Sequence, residues 1–467
     1  MKGNELLEMG IPRAVVPEAF RLIRQMAGRG AGVDEMRRVI AGVIESPRAF
    51  TADPELRPLA EGLLARPKTF EPREAPAPFR IWGEGLEPGS VRQMRNAADL
   101  PVAVRGALMP DAHQGYGLPI GGVLATENAV IPYAVGVDIA CRMRMSVFGL
   151  EDAEQALASP VVRDRLRAAL ESETRFGVGA RFDGELRRDH PVMEADWKAL
   201  PVTAKLRDLA WKQLGTSGSG NHFAELGLLE LARPAEGLAP GTYLALLSHS
   251  GSRGTGATVA SHYSKLAREL HPDLPDDLRN LAWLSLDLAE GQEYWHAMNL
   301  MGEYAAANHE RIHHHVAKAL GFEVLAVVEN HHNFAWKEEH EGHELIVHRK
   351  GATPAGPGVL GVIPGTMADP AFLVSGLGEP ESLRSASHGA GRRMSRNEAR
   401  RRFTWEEARA LLDERGVELL SADLDEVPMA YKDIREVMAA QTDLVEVLGT
   451  FHPRLVKMAP AGERAED

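Results

Sequence analysis

The sequence predicts a mixed α/β fold, and three observations support that prediction. Apolar residues recur at helical spacing through residues 1–66, and each run ends near glycine or proline. In residues 106–141, short apolar runs alternate with glycine and proline turns, a pattern typical of a tightly folded sheet. Two apolar runs with the length of buried strands, 242–248 and 323–329, lead directly towards histidines.

The pattern divides the chain into three segments. Residues 1–66 are predicted to form a small helical N-terminal extension without a chemical motif, and residues 67–78 a proline-rich linker. Residues 79–467 are predicted to form the main domain. Within it we expect a helix over 159–177 and a long apolar-striped helix over most of 289–319. The chemical motifs all fall in this main domain.

The composition is that of a globular chain of 467 residues, with 44% apolar and 25% charged residues. No apolar run reaches the roughly 18 residues of a membrane span, and the N-terminus has no signal-peptide core. The single cysteine excludes an internal disulfide framework, so we expect a cytoplasmic protein without membrane contact. The net charge of −13 gives no general attraction to nucleic acid, so an RNA partner would need a local basic groove.

The only cysteine, Cys141, stands in the segment VGVDIAC, three residues after Asp138. An alternating run over 143–150 follows, so both side chains are predicted to lie on a tight turn that enters a strand. A thiolate and a carboxylate at this spacing can share one metal ion. A lone cysteine is otherwise usually a small buried apolar residue, so the metal prediction depends on further ligands.

Histidines supply those further ligands. His222, His249 and the pair His331 and His332 stand at the ends of predicted strands, beside turn-forming residues. Imidazole, thiolate and carboxylate form a transition-metal ligand set, for which ligand softness favours zinc first and manganese second. Five candidate ligands exceed one tetrahedral site, and a thiolate can bridge two ions, so the set points to two metals.

Other histidines are predicted to have no chemical role. The run His313 to His315 falls within the predicted helix 289–319, as do His296 and His309. There we expect a solvated helix face with one ring turned inward, rather than a ligand set.

A further histidine, His388, precedes a strongly basic segment. The arginines of that segment are Arg392, Arg393, Arg396, Arg400, Arg401 and Arg402. The intervening glycines permit close approach to a phosphate that arginines could bind, but a charged helix face often contacts only water, and both interpretations stay open. A histidine can act as a nucleophile that forms a phosphoramidate when a carboxylate orients its other nitrogen. Asp111, in a separate glycine-rich turn, is the candidate for that carboxylate.

Nine segments resemble one family, the RtcB-type RNA ligases, and occur in the family's order. They span about residues 79–457 and are LMPDAHQGYG, VGVDIAC, GSGNHFAE, SHSGSRG, ENHHNFA, HRKGA, IPGTM, SHGAGRRMSR and PMAYKDI with VMAAQTDLVEV. One short match would carry little weight, whereas nine ordered matches that contain the chemical residues are specific. The resemblance implies the family's compact α/β architecture, with β-sheets around a dinuclear metal site and helices outside.

The resemblance also implies a role for each matching residue. Two Mn²⁺ ions would be held by Asp138, Cys141, His222, His249 and His332, with Cys141 as the bridge. His388 is similar to the histidine that becomes guanylylated, and Asp111 to the carboxylate that orients it. The nucleotide pocket would consist of Asn221, His222, Phe223, Ala224, Glu225, His332, Asn333, Pro364, Gly365, Thr366, Met367, His388, Gly389, Ala390 and Gly391. Glu225 would read the guanine edge, and Lys457 falls, one residue out of register, near the family's C-terminal lysine contact.

The activity implied by the resemblance is GTP-dependent RNA ligation. His388 would attack the α-phosphate of GTP, and the RNA 3′-phosphate, opened where necessary from a 2′,3′-cyclic phosphate, would take GMP from the histidine. The RNA 5′-hydroxyl would then attack the activated end and expel GMP. We expect a monomer acting in tRNA splicing or RNA repair; the resemblance leaves open the RNA substrate and the need for a protein activator.

Two departures from the family pattern stand near the site. Arg142 follows the cysteine where the family usually has glycine, and Ala371 stands where a serine often contacts the nucleotide. Two other interpretations stay open: a dinuclear-metal phosphoesterase on the same scaffold, and a non-catalytic RNA-binding homologue. A hydrolase would not need His388, so the His388→Ala variant separates a hydrolase from a ligase.

Overall fold

A computed structural model describes residues 2–12, 15–64, 70 and 72–463. The chain forms two compact units, Met1–Glu71 with Arg268–Pro275, and Pro72–Ala267 with Asp276–Asp467. The predicted domain boundaries at 66 and 78 stay predictions, and residues 67–69 and 71 of the predicted linker lie outside the described part of the chain.

The first unit is helical. Its elements are α1 (Gly3–Glu8), α2 (Val16–Gly28), α3 (Val33–Glu45), a 3₁₀ helix over Pro47–Phe50 and α4 (Arg57–Leu64). Apolar residues at helical spacing converge on a small core, among them Leu22 and Met26 of α2, Ile40 and Val43 of α3, and Leu59 of α4.

The strands all belong to the second unit. In chain order they are β1 (Phe79–Ile81), β2 (Ala103–His113), β3 (Ile120–Thr126), β4 (Ala129–Val130), β5 (Arg142–Phe148), β6 (Phe223–Leu231), β7 (Gly241–Ser250), β8 (Leu284–Ser285), β9 (Val324–His331), β10 (Asn333–His340), β11 (His343–Lys350), β12 (Ala352–Pro354), β13 (Leu360–Ile363), β14 (Ala371–Gly376), β15 (Ser385–Ser387), β16 (Glu418–Ser421) and β17 (Val445–Met458).

Helices connect these strands. They are α5 (Pro88–Ala98), α6 (Pro132–Val135), α7 (Ala153–Ala158), α8 (Pro160–Glu173), α9 (Pro201–Gln213), α10 (Arg253–Leu270), α11 (Ala289–Leu320), α12 (Arg396–Arg402), α13 (Trp405–Arg415) and α14 (Ile434–Ala439). Short 3₁₀ helices lie at Gly184–Leu186, Pro191–Glu194, Arg279–Leu281, Leu424–Glu426 and Pro428–Ala430.

Two sheets form the scaffold of the second unit. The larger has the order β13-β14-β17-β6-β7-β5-β9, antiparallel throughout, with β16 paired in parallel to β17. The smaller has the order β1-β2-β3-β11-β10, in which only the β1–β2 pair is parallel. The chain passes from the larger to the smaller sheet at His332, between β9 and β10. Loops from both sheets therefore meet near that residue.

Side-chain alternation along β6 and β7 separates two apolar layers. Leu226, Leu244 and Leu246 pack with residues of α8 and α11, whereas Ala245 and Leu247 pack with β13 and β14. Each fully buried leucine contributes about 1.5–3 kcal/mol relative to an exposed one. A register slip of one residue would expose these side chains, so the faces of β7 are strongly specified.

The structure confirms the predicted mixed α/β class, with sheets at the core and helices packed against them. The predicted helix over 159–177 is α8, and that over 289–319 is α11. Within the described ranges, no helix combines the length and the apolarity needed to cross a membrane.

Candidate active site

The site begins at the turn between α6 and β5, which carries Asp138 and Cys141. Gly136 has a φ of 106° and Ala140 a φ of 58°, so the backbone enters the left-handed region twice and reverses sharply. The Ala140 N–H donates to the carbonyl of Asn333 at 2.7 Å and fixes the turn. Asp138 and Cys141 are only 8% and 4% exposed, so both point into the protein.

Three histidines converge on Cys141 from three strand ends. Sγ of Cys141 lies 3.1 Å from Nε2 of His249 and 3.4 Å from Nε2 of His222. Nε2 of His249 lies 3.0 Å from Nε2 of His332, and Nε2 of His222 lies 3.0 Å from Oδ2 of Asp138. The ligand atoms form two groups that share the cysteine: one with Asp138 and His222, the other with His249 and His332.

Burial controls the protonation of this cluster. It lowers the pKa of His249 to about 3 and that of His332 well below its ordinary range. Nδ1 of His249 donates to the carbonyl of Asn221 at 3.0 Å, so its Nε2 carries the lone pair that points into the cluster. Burial would raise the pKa of Asp138, but His222 lowers it below its usual value, so the carboxylate is ionised at neutral pH.

These residues fit a transition-metal site. An ionised carboxylate, neutral imidazoles and a thiol are donors that such ions select. The Nε2 atoms of His222, His249 and His332 face Cys141, Asp138 or each other, so the fit to a metal rests on these inward atoms. Nδ1 of His222 and Nδ1 of His332 are also buried and have no hydrogen-bond partner among the described residues. A side chain at Gly251 would collide with the Asp138 carboxylate, so only glycine lets this loop close over the site.

His388 and Asp111 form a hydrogen-bonded pair although 277 residues separate them in the sequence. Nδ1 of His388 donates to Oδ2 of Asp111 at 2.7 Å, and the backbone N–H groups of His388 and Gly389 donate to the same oxygen at 3.2 and 3.4 Å. Burial would raise the pKa of Asp111, but His388 and Lys432 lower it below its usual value. The ionised carboxylate therefore holds the proton on Nδ1 and leaves the Nε2 lone pair of His388 free.

The backbone around Asp111 is held from two sides. Gly391, with a φ of 73°, lies so close to the Asp111 carbonyl that a Cβ would collide with it. Nζ of Lys432 donates to the carbonyls of Pro110 and Ala112 at 3.0 and 2.7 Å. Our sequence reasoning did not single out Lys432, although it stands in the matching segment PMAYKDI. Lys432 reaches the site through its hydrogen bond to Ala112, which stands 320 positions away in the sequence, so no local pattern indicates the contact.

His388 lies next to the cluster of candidate metal ligands around Cys141. Its ring centroid lies 5.0 Å from that of His332, and a Cβ on Gly351 would lie 3.1 Å from its Cε1. Oδ1 of Asn333 accepts from the Gly351 N–H at 2.9 Å, and its Nδ2 donates to the Asp138 carbonyl at 3.3 Å. Asn333 therefore ties the turn of the cluster to the loop beside His388.

Further predicted nucleotide-binding residues lie around the same edge. The ring centroid of Phe223 lies 5.7 Å from that of His249. The loop 364–367 follows β13, and a Cβ on Gly389 would lie 3.2 Å from the Pro364 carbonyl oxygen. These contacts bring the segments that begin at residues 221, 332, 364 and 388 to one edge of the site, and their binding of a nucleotide stays a prediction.

Glu225 is a buried carboxyl group on β6, with 4% exposure. Burial raises its pKa well above the usual value. No hydrogen bond from another described residue reaches its side chain, and no charged partner offsets the burial. At neutral pH the Glu225 carboxyl group is therefore shifted towards its protonated form. Its oxygens remain available to hydrogen-bond with a bound molecule.

Lys457 lies apart from these residues. It pairs with Ala224 across β17 and β6, on the sheet face that packs against α8. Its Nζ donates to the carbonyls of Leu170, Glu171 and Thr174 at 3.1, 3.2 and 3.2 Å, and burial lowers its pKa to about 8. The structure does not bring Lys457 to the cluster, and its nucleotide contact stays a prediction.

The basic segment after His388 is partly neutralised. Three of its arginines have carboxylate partners: Arg392 with Glu426 at 3.5 Å, Arg396 with Asp425 at 3.2 Å, and Arg400 with Asp423 at 2.9 Å. Arg401 and Arg402 are exposed. The acidic partners come from residues 423–426, which no sequence pattern placed beside this helix.

Comparisons with known proteins agree with this arrangement. The family model described as tRNA-splicing ligase RtcB matches residues 93–458. The RNA-splicing ligase RtcB of Escherichia coli strain K12 is 36% identical in an alignment 409 positions long, and the alignment covers 80% of this chain and 96% of that protein. The tRNA-splicing ligase RtcB of Nanoarchaeum equitans is 33% identical in an alignment 436 positions long, and the alignment covers 77% of this chain and 90% of that protein. The resemblance inferred from the motifs is thus confirmed, and the chain belongs to the RtcB family.

Proposed function

We propose that this protein is an RNA ligase that joins a 3′-phosphate or 2′,3′-cyclic phosphate end to a 5′-hydroxyl end, using GTP and Mn²⁺. The observation that carries the proposal is the 2.7 Å hydrogen bond from Nδ1 of His388 to the buried Asp111 carboxylate, beside the Cys141 cluster. Family membership supports ligation of RNA, because relatives are named RNA-splicing or tRNA-splicing ligases.

His388 is the proposed nucleophile. Because Asp111 holds the proton on Nδ1, Nε2 presents its lone pair. Attack on the α-phosphorus of GTP forms an N–P bond and breaks the bond to the bridging oxygen of the β-phosphate, so pyrophosphate leaves. The product is a guanylylated histidine, whose positive ring Asp111 stabilises.

Two further transfers would complete ligation. An oxygen of the RNA 3′-phosphate attacks the same phosphorus, the N–P bond breaks, and the RNA end is joined to GMP through a pyrophosphate. The RNA 5′-hydroxyl oxygen then attacks the RNA-side phosphorus, its proton passes to solvent, and GMP leaves. A 2′,3′-cyclic phosphate must first be opened by one water molecule to a 3′-phosphate.

Asp138, Cys141, His222, His249 and His332 would hold two metal ions that share Cys141, as the two ligand groups suggest. Such ions would stabilise negative charge on the phosphate oxygens. The donor types alone favour zinc, whereas the family resemblance favours manganese.

Glu225 is suited to recognise guanine. The N1–H and N2–H₂ groups of guanine are neighbouring donors, and a carboxylate offers two neighbouring acceptors. Burial without a partner raises the pKa of Glu225 in the free protein, so hydrogen bonds from a bound base would favour its ionised form. A base that cannot donate two hydrogen bonds at that edge would leave the buried carboxyl group unsatisfied.

The direct test is guanylylation. Purified protein is incubated with α-labelled GTP and Mn²⁺ and separated on a denaturing gel. We expect an acid-labile labelled band in the wild type and in His314→Ala, an exposed histidine of α11, and none in His388→Ala. Labelled protein should then ligate RNA with 3′-phosphate and 5′-hydroxyl ends.

Other outcomes would favour the remaining interpretations. Phosphodiester hydrolysis that survives His388→Ala, with metal retained, would indicate a phosphoesterase. RNA binding without label, under any divalent ion, would indicate a non-catalytic homologue. The monomeric state, the cytoplasmic location and the bounds of the N-terminal extension 1–66 stay predictions.

A further inference from the structure

Tyr116 is an exposed aromatic residue on the loop between β2 and β3. Its side chain is 70% exposed, in a chain whose other large apolar residues are mostly buried. It takes part in no ring contact or side-chain hydrogen bond within the described ranges. The ring therefore contributes little to folding, although the loop that carries it holds the matching segment LMPDAHQGYG.

The backbone of this loop is held firmly on both sides of the ring. The Gln93 side chain pairs with Gly115, donating to its carbonyl at 2.6 Å and accepting from its N–H at 3.0 Å. Nζ of the buried Lys350 donates to the Tyr116 carbonyl at 2.5 Å. Gly117 completes the turn with a φ of 73°. The exposure of the ring is thus a property of a fixed loop rather than of a loose one.

The loop stands directly beside the proposed nucleophile. Lys350, which anchors Tyr116, precedes Gly351, and a Cβ on Gly351 would lie 3.1 Å from Cε1 of His388. Ile120, at the far end of the loop, contacts the same position on Gly351. Lys350, whose side chain anchors Tyr116, and Ile120, at the end of the loop, therefore both adjoin Gly351, the residue beside the His388 ring.

We infer that Tyr116 stacks on an unpaired nucleobase at the end of the RNA strand bound at His388; this inference rests on the proposed ligation of RNA. Every base has an aromatic face, so stacking on tyrosine tolerates any sequence, as joining of varied RNA ends requires. A neutral ring also binds a base without adding to the local repulsion that an acidic protein exerts on phosphates.

The test is RNA affinity measured by fluorescence anisotropy with Mn²⁺ and without GTP. Two single-stranded RNAs, one with a 3′-phosphate and one with a 5′-hydroxyl, identify which end contacts the ring. We expect Tyr116→Ala to weaken binding of at least one RNA about 5- to 100-fold, the loss typical of one stacked base. Tyr116→Phe should bind like the wild type, as should Val161→Ala, a control residue with 78% exposure.

A second readout places the base on the ring. With 2-aminopurine as the terminal nucleotide, binding to the wild type and Tyr116→Phe should quench its fluorescence, and binding to Tyr116→Ala should not. Unchanged affinity of both RNAs in Tyr116→Ala would overturn the inference, as would an equal loss in Tyr116→Phe, which would indicate a hydroxyl contact. Guanylylation by GTP alone should be unchanged in Tyr116→Ala. If the wild-type protein is not guanylylated, the proposed function is overturned. The RNA affinities still decide the role of Tyr116 in that case.

Discussion

Two sets of buried histidines lie on opposite faces of β7, and they differ in how their nitrogens are paired. On the face towards α11, Ser248 hydrogen-bonds with Nε2 of His313 at 2.8 Å and with Nδ1 of His309 at 2.9 Å. Nε2 of His309 donates to the Ser250 carbonyl at 2.9 Å, and Nδ1 of His313 hydrogen-bonds with Ser146 at 2.8 Å. All four ring nitrogens thus have protein partners.

One proton arrangement satisfies this whole set. Because the Ser250 carbonyl only accepts, His309 carries its proton on Nε2 and accepts from Ser248 at Nδ1. His313 then donates from Nε2 to Ser248 and accepts from Ser146. Burial holds the pKa of both histidines well below its ordinary range, so both rings are uncharged.

The histidines on the other face of β7, around Cys141, do not form such a hydrogen-bonded set with serines. His249 follows Ser248, faces the opposite layer and lies 3.1 Å from Cys141. Its neighbours His222 and His332 each retain a buried Nδ1 without a partner among the residues described. Burial and residue type are the same on both faces, so the two sets differ in what their ring nitrogens face. On the α11 face those groups are serine hydroxyls and a carbonyl, whereas on the other face the Nε2 atoms face a thiol, a carboxylate and each other.

The largest expected effect concerns the carboxylate that orients His388. Asp111→Asn keeps the shape but removes the charge, so it no longer fixes the proton on Nδ1 or stabilises the charged ring. We expect guanylylation to slow about 10³-fold, measured in single turnover with labelled GTP. Asp276→Asn, an exposed carboxylate, is the control. A rate within threefold of the wild type, roughly 0.6 kcal/mol, would remove Asp111 from the mechanism.

Cys141→Ala tests the histidine set that surrounds Cys141. Because Cys141 belongs to both ligand groups, its loss should weaken metal binding at least about 100-fold, more than loss of a residue that only supports a ligand. Metal content after dialysis against Mn²⁺, measured by mass spectrometry, provides the readout. Full metal content in this variant would show that the thiol is only a buried apolar group.

His313→Ala tests the fully hydrogen-bonded set on the face of β7 towards α11. It removes the partner of Ser146 and Ser248 and leaves a cavity, so the free energy of unfolding should fall by about 2–3 kcal/mol, with metal content unchanged. Urea denaturation and metal analysis measure the two quantities. His314→Ala, on the exposed side of α11, should change stability by less than about 0.5 kcal/mol. Loss of metal from His313→Ala would contradict the distinction between the two faces.

Glu225→Gln extends the comparison to a carboxyl group. Burial raises the folded-state pKa of Glu225 above its ordinary value of 4.5. The wild type therefore loses stability as pH rises from 4.5 towards the folded pKa, by up to about 1.4 kcal/mol per pH unit relative to Glu225→Gln. Urea unfolding of the two metal-free proteins between pH 5 and 8 measures the difference. Parallel stability profiles would mean that Glu225 stays ionised through a partner.

The ligand cluster was predictable because its signals are local. Alternation identified the strands, and turn-forming residues marked their ends, so Asp138, Cys141, His222, His249 and His332 were expected together, and the structure brings them together. The expectation of one inward ring in the run from His313 to His315 also holds, because only His313 of the three is buried. The burial of His309 was not expected, since its serine partners lie on distant strands.

The sequence by itself determined the chemistry available to this protein: one thiol, histidines at strand ends, a carboxylate near a glycine-rich turn, and a strand period that separates Ser248 from His249. The predicted position of Asp111 in that turn is wrong, because the residue lies within β2 and the turn follows it. Tertiary structure alone decided which groups meet. It brought His388 to 2.7 Å from Asp111 and paired three arginines with residues 423–426, while it directed Lys457 to carbonyl groups near the end of α8. The physical reason is that periodicity encodes the direction of a side chain, whereas the distance between residues hundreds of positions apart depends on how sheets pair and pack.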